Sequence, residues 1–229
     1  MKKSFTDYCW WTGLVILVIL IAWQLADPSG VNHIDQSIRL VVNAHRSAVQ
    51  TGWWTTITKL YNFGWACLWI ILTISAAWWL VNRLFFAQLF LTILSGLFLN
   101  RLIKEIVQRP RPSSNILMHY AGYSFPSGHS STAALVGGSL ILLTWRVCQH
   151  TNLKWLLTVL WGLMILLVGY SRVYVGAHFP TDVLAGWALG IWVVTTFDWL
   201  WNHYFRRQSW RLNLAHRYSG PSWSAGTYP

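Results

Sequence analysis

The sequence predicts an all-α fold: an integral-membrane bundle of six transmembrane helices, with an exterior amphipathic helical segment between spans one and two. Three observations predict it. Of 229 residues, 55% are hydrophobic and only 10% are charged, against about 25% charged in a soluble domain. The apolar residues gather into six runs long enough to cross about 30 Å of hydrocarbon. The 18 Trp suit a chain whose spans end at two membrane interfaces, where indole rings collect.

The first span runs from about Trp10 to Ala26. Met1-Lys2-Lys3 ahead of it has signal-peptide character, but the run is long for that role. Gln24 also stands where a cleavage site before Asp27 needs a small residue. The span is expected to be retained, with Lys2 and Lys3 cytoplasmic. Residues 27–62 form a long connection. In it Ile34, Ile38, Val41, Val42 and Val49 share one helical face, and Asp35, Arg39, Asn43 and Arg46 fall mostly on another. That pattern predicts an amphipathic helix on the outer surface, anchored by Trp53 and Trp54; a plain exterior loop is the alternative.

The second span runs from about Phe63 to Leu80, closed by the inner turn Asn82-Arg83. The third runs from Phe85 to Leu102. Residues 103–128 form an exterior loop rich in cations and turn formers. The fourth span runs from His129 to Trp145-Arg146 and the fifth from Trp155 to Tyr170. Residues 171–179 form a short exterior loop. The sixth span starts at Pro180, where proline suits a first helical turn, and ends by Trp201. Residues 1–201 therefore read as one six-span domain and 202–229 as a basic cytoplasmic tail that holds Arg206, Arg207, Arg211 and Arg217. Both termini are expected inside. The bias of Lys and Arg toward interior loops emerges once the exterior cations assigned to chemistry below are set aside.

The formal net charge is +11, which fits nucleic acid, anionic lipid or an anionic substrate. The cations sit in short loops between apolar runs rather than along one stripe, so no nucleic-acid partner is expected. Cys9, Cys67 and Cys148 are scattered and odd in number, which implies no disulfide framework or thiolate metal site.

Three polar clusters fall at the outer ends of spans. The first extends from Lys104 through Arg109-Pro110-Arg111-Pro112. The second is Pro126-Ser127-Gly128-His129. The third is Ser171-Arg172, then His178, then Asp182. Charge near hydrocarbon is costly and needs a partner or a function. Lys104, Arg111 and Arg172 supply cations, and an Arg fork matches two phosphate oxygens. Ser127 is a plausible N-cap, and the helix start at Ser127 and Gly128 offers backbone N–H groups to an anion. Together these describe a cradle for one phosphoryl group.

His178 and Asp182 are four apart, close to one helical face. The carboxylate can orient the imidazole and stabilise the cation formed when its other nitrogen attacks phosphorus. His129, on another span, can protonate the leaving oxygen. The same residues leave other readings open. His129, His178 and Asp182, with His119, could ligate zinc, although three nearby cations would repel it. Lys104, Arg109, Arg111 and Arg172 could snorkel to the interface, with His178–Asp182 as a helix brace.

These blocks resemble the type 2 phosphatidic acid phosphatase family, whose site is shared with vanadium haloperoxidases. The family pattern is Lys-x6-Arg-Pro, then Pro-Ser-Gly-His, then Ser-Arg-x5-His-x3-Asp, and every position and spacing agrees. The resemblance implies a membrane-embedded helical bundle that hydrolyses phosphate esters without metal or cofactor. It implies His178 as nucleophile supported by Asp182, His129 at the leaving group, and Lys104, Arg111, Ser127, Gly128 and Arg172 on the phosphate. Arg109 precedes the matched arginine and is left as a contact to a second phosphate or a headgroup.

The expected function is removal of the terminal phosphate of a lipid phosphate or diphosphate through a phosphohistidine. Phosphatidylglycerophosphate, phosphatidic acid and undecaprenyl diphosphate are the substrates in view. The expected place is the plasma membrane, with the site on its extracytoplasmic side. A lipid-to-lipid phosphotransferase and a non-catalytic lipid-phosphate binder or transporter are the alternatives. Nothing in the sequence speaks to oligomeric state.

Overall fold

A backbone in hydrocarbon must satisfy its own hydrogen bonds, and a helix does so within one segment. The computed structural model describes residues 5–218, with side chains over 8–204. Among the described residues it holds eight helices and no strand: α1 (Phe5–Ala26), α2 (Pro28–Ala44), α3 (Ala48–Lys59), α4 (Phe63–Leu80), α5 (Arg83–Val107), α6 (Gly128–Val147), α7 (Thr151–Tyr174) and α8 (Pro180–Tyr218). Six are long and apolar enough to cross a membrane, namely α1, α4, α5, α6, α7 and α8. The chain is a multi-pass membrane protein. The expected second span coincides with α4 residue for residue. The tail from 202 is helical backbone as far as Tyr218, and 219–229 lie outside the described residues.

The α5 and α7 spans run further at their C-terminal ends than expected, and both of these extensions carry charge. Lys104 lies in the last turn of α5 and Arg172 in the last turn of α7, not in loops. The C-terminal end of a helix carries partial negative charge, so a cation is favoured there. The α5 helix then closes on Gln108 in the left-handed conformation, φ 48°.

The interior pair is α6 and α8. Their approach is close because α8 presents Gly186 to the start of α6: a Cβ built there would lie 2.7 Å from Ser127 O and 3.1 Å from Ser131 N. Leu135 of α6 and Leu189 of α8 are fully buried in the main core with Leu17 of α1 and Ile93 of α5.

The segment between the first two spans is two helices rather than one amphipathic helix. The break falls at 45–47, where Ser47 caps α3 by accepting from Gln50 N. The polar face of α2 is also turned toward protein, not water. Val31, Asp35 and Arg39, one turn apart, are buried against the bundle, while Ile34, Ile38 and Val41 are exposed. Arg39 donates to Ser114 O at 2.6 Å and Arg46 to Asn115 O at 2.9 Å, tying α2 to the 113–124 loop. Trp53 is exposed and Trp54 packs on Tyr170 and Tyr174 of α7.

Candidate active site

The C-terminal ends of α5 and α7 and the N-terminal ends of α6 and α8 meet on one side of the bundle, with α2, α3 and the 108–127 segment over them. All three sequence clusters come together there. The α7 helix ends in a turn that needs Gly176, which has φ 75° and whose Cβ would meet Asn115 O at 2.6 Å. Through this turn Ala177 N and His178 N both donate to Arg172 O, at 3.1 and 3.2 Å. His178 is thereby folded back beside Arg172, just before Pro180 starts α8.

His178 is 2% exposed and has its two ring nitrogens in different surroundings. Nδ1 faces Asp182 Oδ2 at 3.4 Å, and Nε2 faces Arg111 Nη1 at 3.2 Å. An arginine N–H can only donate, so Nε2 keeps its lone pair toward Arg111 and the proton lies on Nδ1, toward the carboxylate. Burial first, then the charges of Arg172, Arg111 and Lys104, hold the imidazole well below its usual pKa of 6.5. Asp182 is fully buried, and its Oδ2 accepts from Phe179 N at 2.9 Å.

The cations are fixed by backbone carbonyls. Lys104 Nζ donates to Tyr123 O at 2.9 Å and Ser124 O at 3.3 Å. Arg111 donates to Gly122 O, Ala177 O and Ala121 O at 2.9, 2.9 and 3.2 Å. Arg172 is fully buried; its Nη1 reaches Thr58 Oγ1 at 2.6 Å and Tyr120 Oη at 3.0 Å. Its Nε and Nη2 have no protein acceptor. Buried donors without partners are costly, and an oxyanion would satisfy them.

Ser127 is the N-cap of α6, as its position in the sequence predicts. Its hydroxyl accepts from Ser130 N at 3.4 Å and from the Ser130 hydroxyl at 2.9 Å, and its own N–H donates to Asp182 O at 2.9 Å. Ser127 is thus taken up in joining α6 to α8. The N–H groups of Gly128 and His129, at the first positions of α6, have no intrahelical acceptor and are the donors left for an anion. His129 Nε2 donates to Asn62 Oδ1 at 3.2 Å, which also accepts from Tyr120 Oη at 3.3 Å.

Arg109 is placed elsewhere than the sequence led one to expect. It is 2% exposed and turned to the far side of Asp182. Its Nη1 donates to Asp182 Oδ1 and Thr181 Oγ1, both at 2.8 Å, and its Nη2 to Asp35 Oδ2 and Asn32 Oδ1, both at 2.6 Å. It stacks on the Phe179 ring, 4.1 Å from the centroid. A guanidinium so committed has no N–H to spare for a second phosphate except Nε, which is itself buried. The zinc alternative also loses its ligand set. His119 is exposed, and no three His, Cys, Asp or Glu side chains among the described residues gather as metal ligands.

Asp35, Asn62, Thr58 and Tyr120 belong to the site and were not singled out from the sequence. Asp35 carried a usable signal: it is one of only 6 acidic residues in the chain and lies one turn from Arg39. The three polar uncharged residues carried none.

The pattern of the PAP2 superfamily matches residues 85–208, more than half of the chain and all three clusters. Phosphatidylglycerophosphatase B of Bacillus subtilis is 39% identical over 107 residues, which are 44% of this chain and 51% of that protein. An undecaprenyl-diphosphatase of Sulfolobus acidocaldarius is 27% identical over 194 residues, 81% of this chain and 88% of that protein. The chain thus matches about half the length of the first and most of the second. The crystal structure of a transmembrane PAP2 type phosphatidylglycerolphosphate phosphatase from Bacillus subtilis superimposes with a TM-score of 0.76 at 27% identity, covering 87% of this chain and 98% of that one. The crystal structure of Aquifex aeolicus LpxE, at 23% identity and a TM-score of 0.57, shares the fold. A six-span bundle whose span ends carry the three motif blocks in order, and whose sequence matches this pattern through all of them, belongs to the PAP2 superfamily.

Proposed function

We propose that the protein hydrolyses the terminal phosphate of a membrane lipid phosphate or diphosphate, through a phosphohistidine on His178. The observation that carries this reading is the division of the His178 ring, with Nδ1 toward Asp182 at 3.4 Å and Nε2 toward Arg111 at 3.2 Å. A neutral imidazole with its lone pair among phosphate-binding cations is a nucleophile poised for phosphorus.

Lys104, Arg111, Arg172 and the N–H groups of Gly128 and His129 hold the non-bridging oxygens and offset the charge that spreads over them during transfer. His178 Nε2 attacks phosphorus and forms the N–P bond, while the P–O bond to the lipid breaks. His129 gives its proton to the departing oxygen, releasing the lipid alcohol, or the lipid monophosphate from a diphosphate. Asp182 stabilises the imidazolium. His129, now neutral, takes a proton from water, whose oxygen attacks phosphorus as the N–P bond breaks. Inorganic phosphate leaves and His178 is restored. Ser127 and Arg109 act from behind the site, Ser127 by joining the starts of α6 and α8 and Arg109 by holding Asp182.

The site lies on the side of the bundle opposite the start of α1. With Lys2 and Lys3 cytoplasmic, the site opens on the extracytoplasmic face of the plasma membrane. The relatives named above act on phosphatidylglycerophosphate and undecaprenyl diphosphate by their names, and this chain is assigned to the same lipid class.

The test is phosphate release by purified protein in excess chelator from phosphatidylglycerophosphate, phosphatidic acid and undecaprenyl diphosphate, ranked by kcat/KM. The His178→Ala variant is expected to keep its thermal unfolding midpoint and lose turnover. Label carried from the lipid is expected on His178 of the native protein as an acid-labile, base-stable adduct. Phosphate release that survives in His178→Ala rules out the nucleophile.

A further inference from the structure

The geometry points to Asp35, on α2 and outside the three motif clusters, as a positioning residue that keeps the Asp182 carboxylate effective toward His178 by offsetting the charge of Arg109. This inference rests on the reading of His178 and Asp182 just given.

The Arg109 guanidinium lies between two buried carboxylates, with Nη2 2.6 Å from Asp35 Oδ2 and Nη1 2.8 Å from Asp182 Oδ1. An arginine stays charged even when buried. Paired with Asp182 alone, it would cancel the carboxylate on which the imidazolium depends. With Asp35 included, the three groups carry a net charge of −1, and the far face of His178 sees an anion. Asp35 itself is ionised by its surroundings. Its oxygens are met only by donors: Thr181 N at 3.0 Å, Thr181 Oγ1 at 2.5 Å and Arg109 Nη2. Protonation would forfeit the charge-assisted hydrogen bond from Arg109. Burial pushes its pKa up, opposed by the hydrogen bonds from Thr181 and Arg109 and by the Arg109 charge.

The balance matters because every other charged group around the dyad is a cation. Lys104 on α5, Arg111 on the following loop and Arg172 on α7 act on His178, and Arg39 on α2 lies 5.4 Å from the Phe179 ring centroid. With Arg109 counted, two carboxylates offset five cations, and removing Asp35 leaves Asp182 bound to a guanidinium that cancels it.

Asp35 also pins the start of α8 through Thr181, so a brace must be told apart from a charge balance. A double-variant cycle does this. In Asp35→Asn, Arg109 neutralises Asp182, and kcat is expected to fall about 10–100-fold, the loss seen when outer partners of a functional histidine are removed, with KM little changed. In Arg109→Gln the two carboxylates repel and activity also falls. In Asp35→Asn/Arg109→Gln the net charge returns to −1, and kcat is expected to recover above both single variants. A brace alone predicts the reverse, because the double variant loses every contact of either single.

Calorimetric binding of orthovanadate, a mimic of five-coordinate phosphorus, is measured on the same four proteins in detergent and needs no turnover. Weaker binding in the single variants and recovery in the double variant support the charge balance. If that pattern appears in binding while the native protein releases no phosphate from any lipid tested, the hydrolase reading falls and the charge balance stands. Parent-like kcat and vanadate affinity in a folded Asp35→Asn protein, or a double variant no better than the singles, overturns the inference.

Discussion

Replacing Gly186 by Ala tests whether the site depends on how closely α6 and α8 approach. The added Cβ would lie 2.7 Å from Ser127 O, 3.0 Å from Ser130 Cβ and 3.1 Å from Ser131 N. Two of these neighbours are backbone atoms that no rotamer change can move. Relief to an ordinary contact of 3.4 Å requires the helix starts to separate by about 0.7 Å. The displaced segment holds Gly128 and His129 on one side and Asp182 on the other, joined by the Ser127 N to Asp182 O bond of 2.9 Å.

A misplacement of about 1 Å can cost about 100-fold in rate, so kcat/KM is expected to fall about tenfold or more. Stability should change little. Overpacking costs about 1–3 kcal/mol, and about 1 kcal/mol returns from replacing a helical glycine. The assay is kcat/KM on the preferred lipid phosphate alongside the thermal midpoint in detergent. Gly162→Ala serves as control, because a Cβ there meets nothing within 4 Å. If Gly186→Ala matches the control in kcat/KM, the close approach of the two helix starts does not set the catalytic geometry.

Tyr120→Phe removes the hydroxyl that accepts from Arg172 at 3.0 Å and donates to Asn62 at 3.3 Å. A hydrogen bond to a charged group is worth about 1.5–3 kcal/mol, so kcat/KM should drop about tenfold or more, and a parent-like value would show that Arg172 needs no such anchor. Gly176→Ala forces a Cβ into the left-handed region at φ 75° and onto Asn115 O. The left-handed conformation alone costs about 1–2 kcal/mol, so the thermal midpoint and kcat should fall together, and a variant with both unchanged would remove this turn from the account of how His178 is placed. The third concerns pH. Because burial and three neighbouring cations hold His178 well below 6.5, its neutral form, the proposed nucleophile, persists as pH falls through 6.5, and any loss from its protonation begins lower. A log kcat/KM profile flat through pH 6.5 on a substrate analogue fully ionised in that range is expected; an acid limb centred there contradicts it.

The six spans were legible because hydrocarbon permits few alternatives: a long apolar run has only the helix to adopt. The motif clusters were legible because their spacing is set by which turn of which helix faces the site. What the sequence hid was direction. Amphipathicity revealed two faces on α2 but not which one meets protein, since in a membrane protein the polar face can point inward, and Asp35 and Arg39 do. The doublet Arg109-Pro110-Arg111-Pro112 displays two equivalent guanidinium groups. Only the reversal of the chain after Gln108 sends one to His178 Nε2 and the other behind Asp182. Ser127 matched a phosphate-binding motif, yet its hydroxyl goes to Ser130 and its N–H to Asp182. Asn62 and Tyr120 reach His129 from two segments whose contact depends on the assembled bundle.

The inward-facing acid and arginine of α2 have a further consequence for how the protein responds to its solvent. This helix crosses nothing; it is held by ionic contacts on its inner flank and leaves Ile34, Ile38 and Val41 for lipid to solvate on the other. Extraction into micelles changes only that outer medium, while the spans stay packed on one another. A shift of α2 would separate Asp35 from Arg109. Turnover should therefore depend on the surrounding amphiphile more steeply than helical content does, and return to bilayers should restore it.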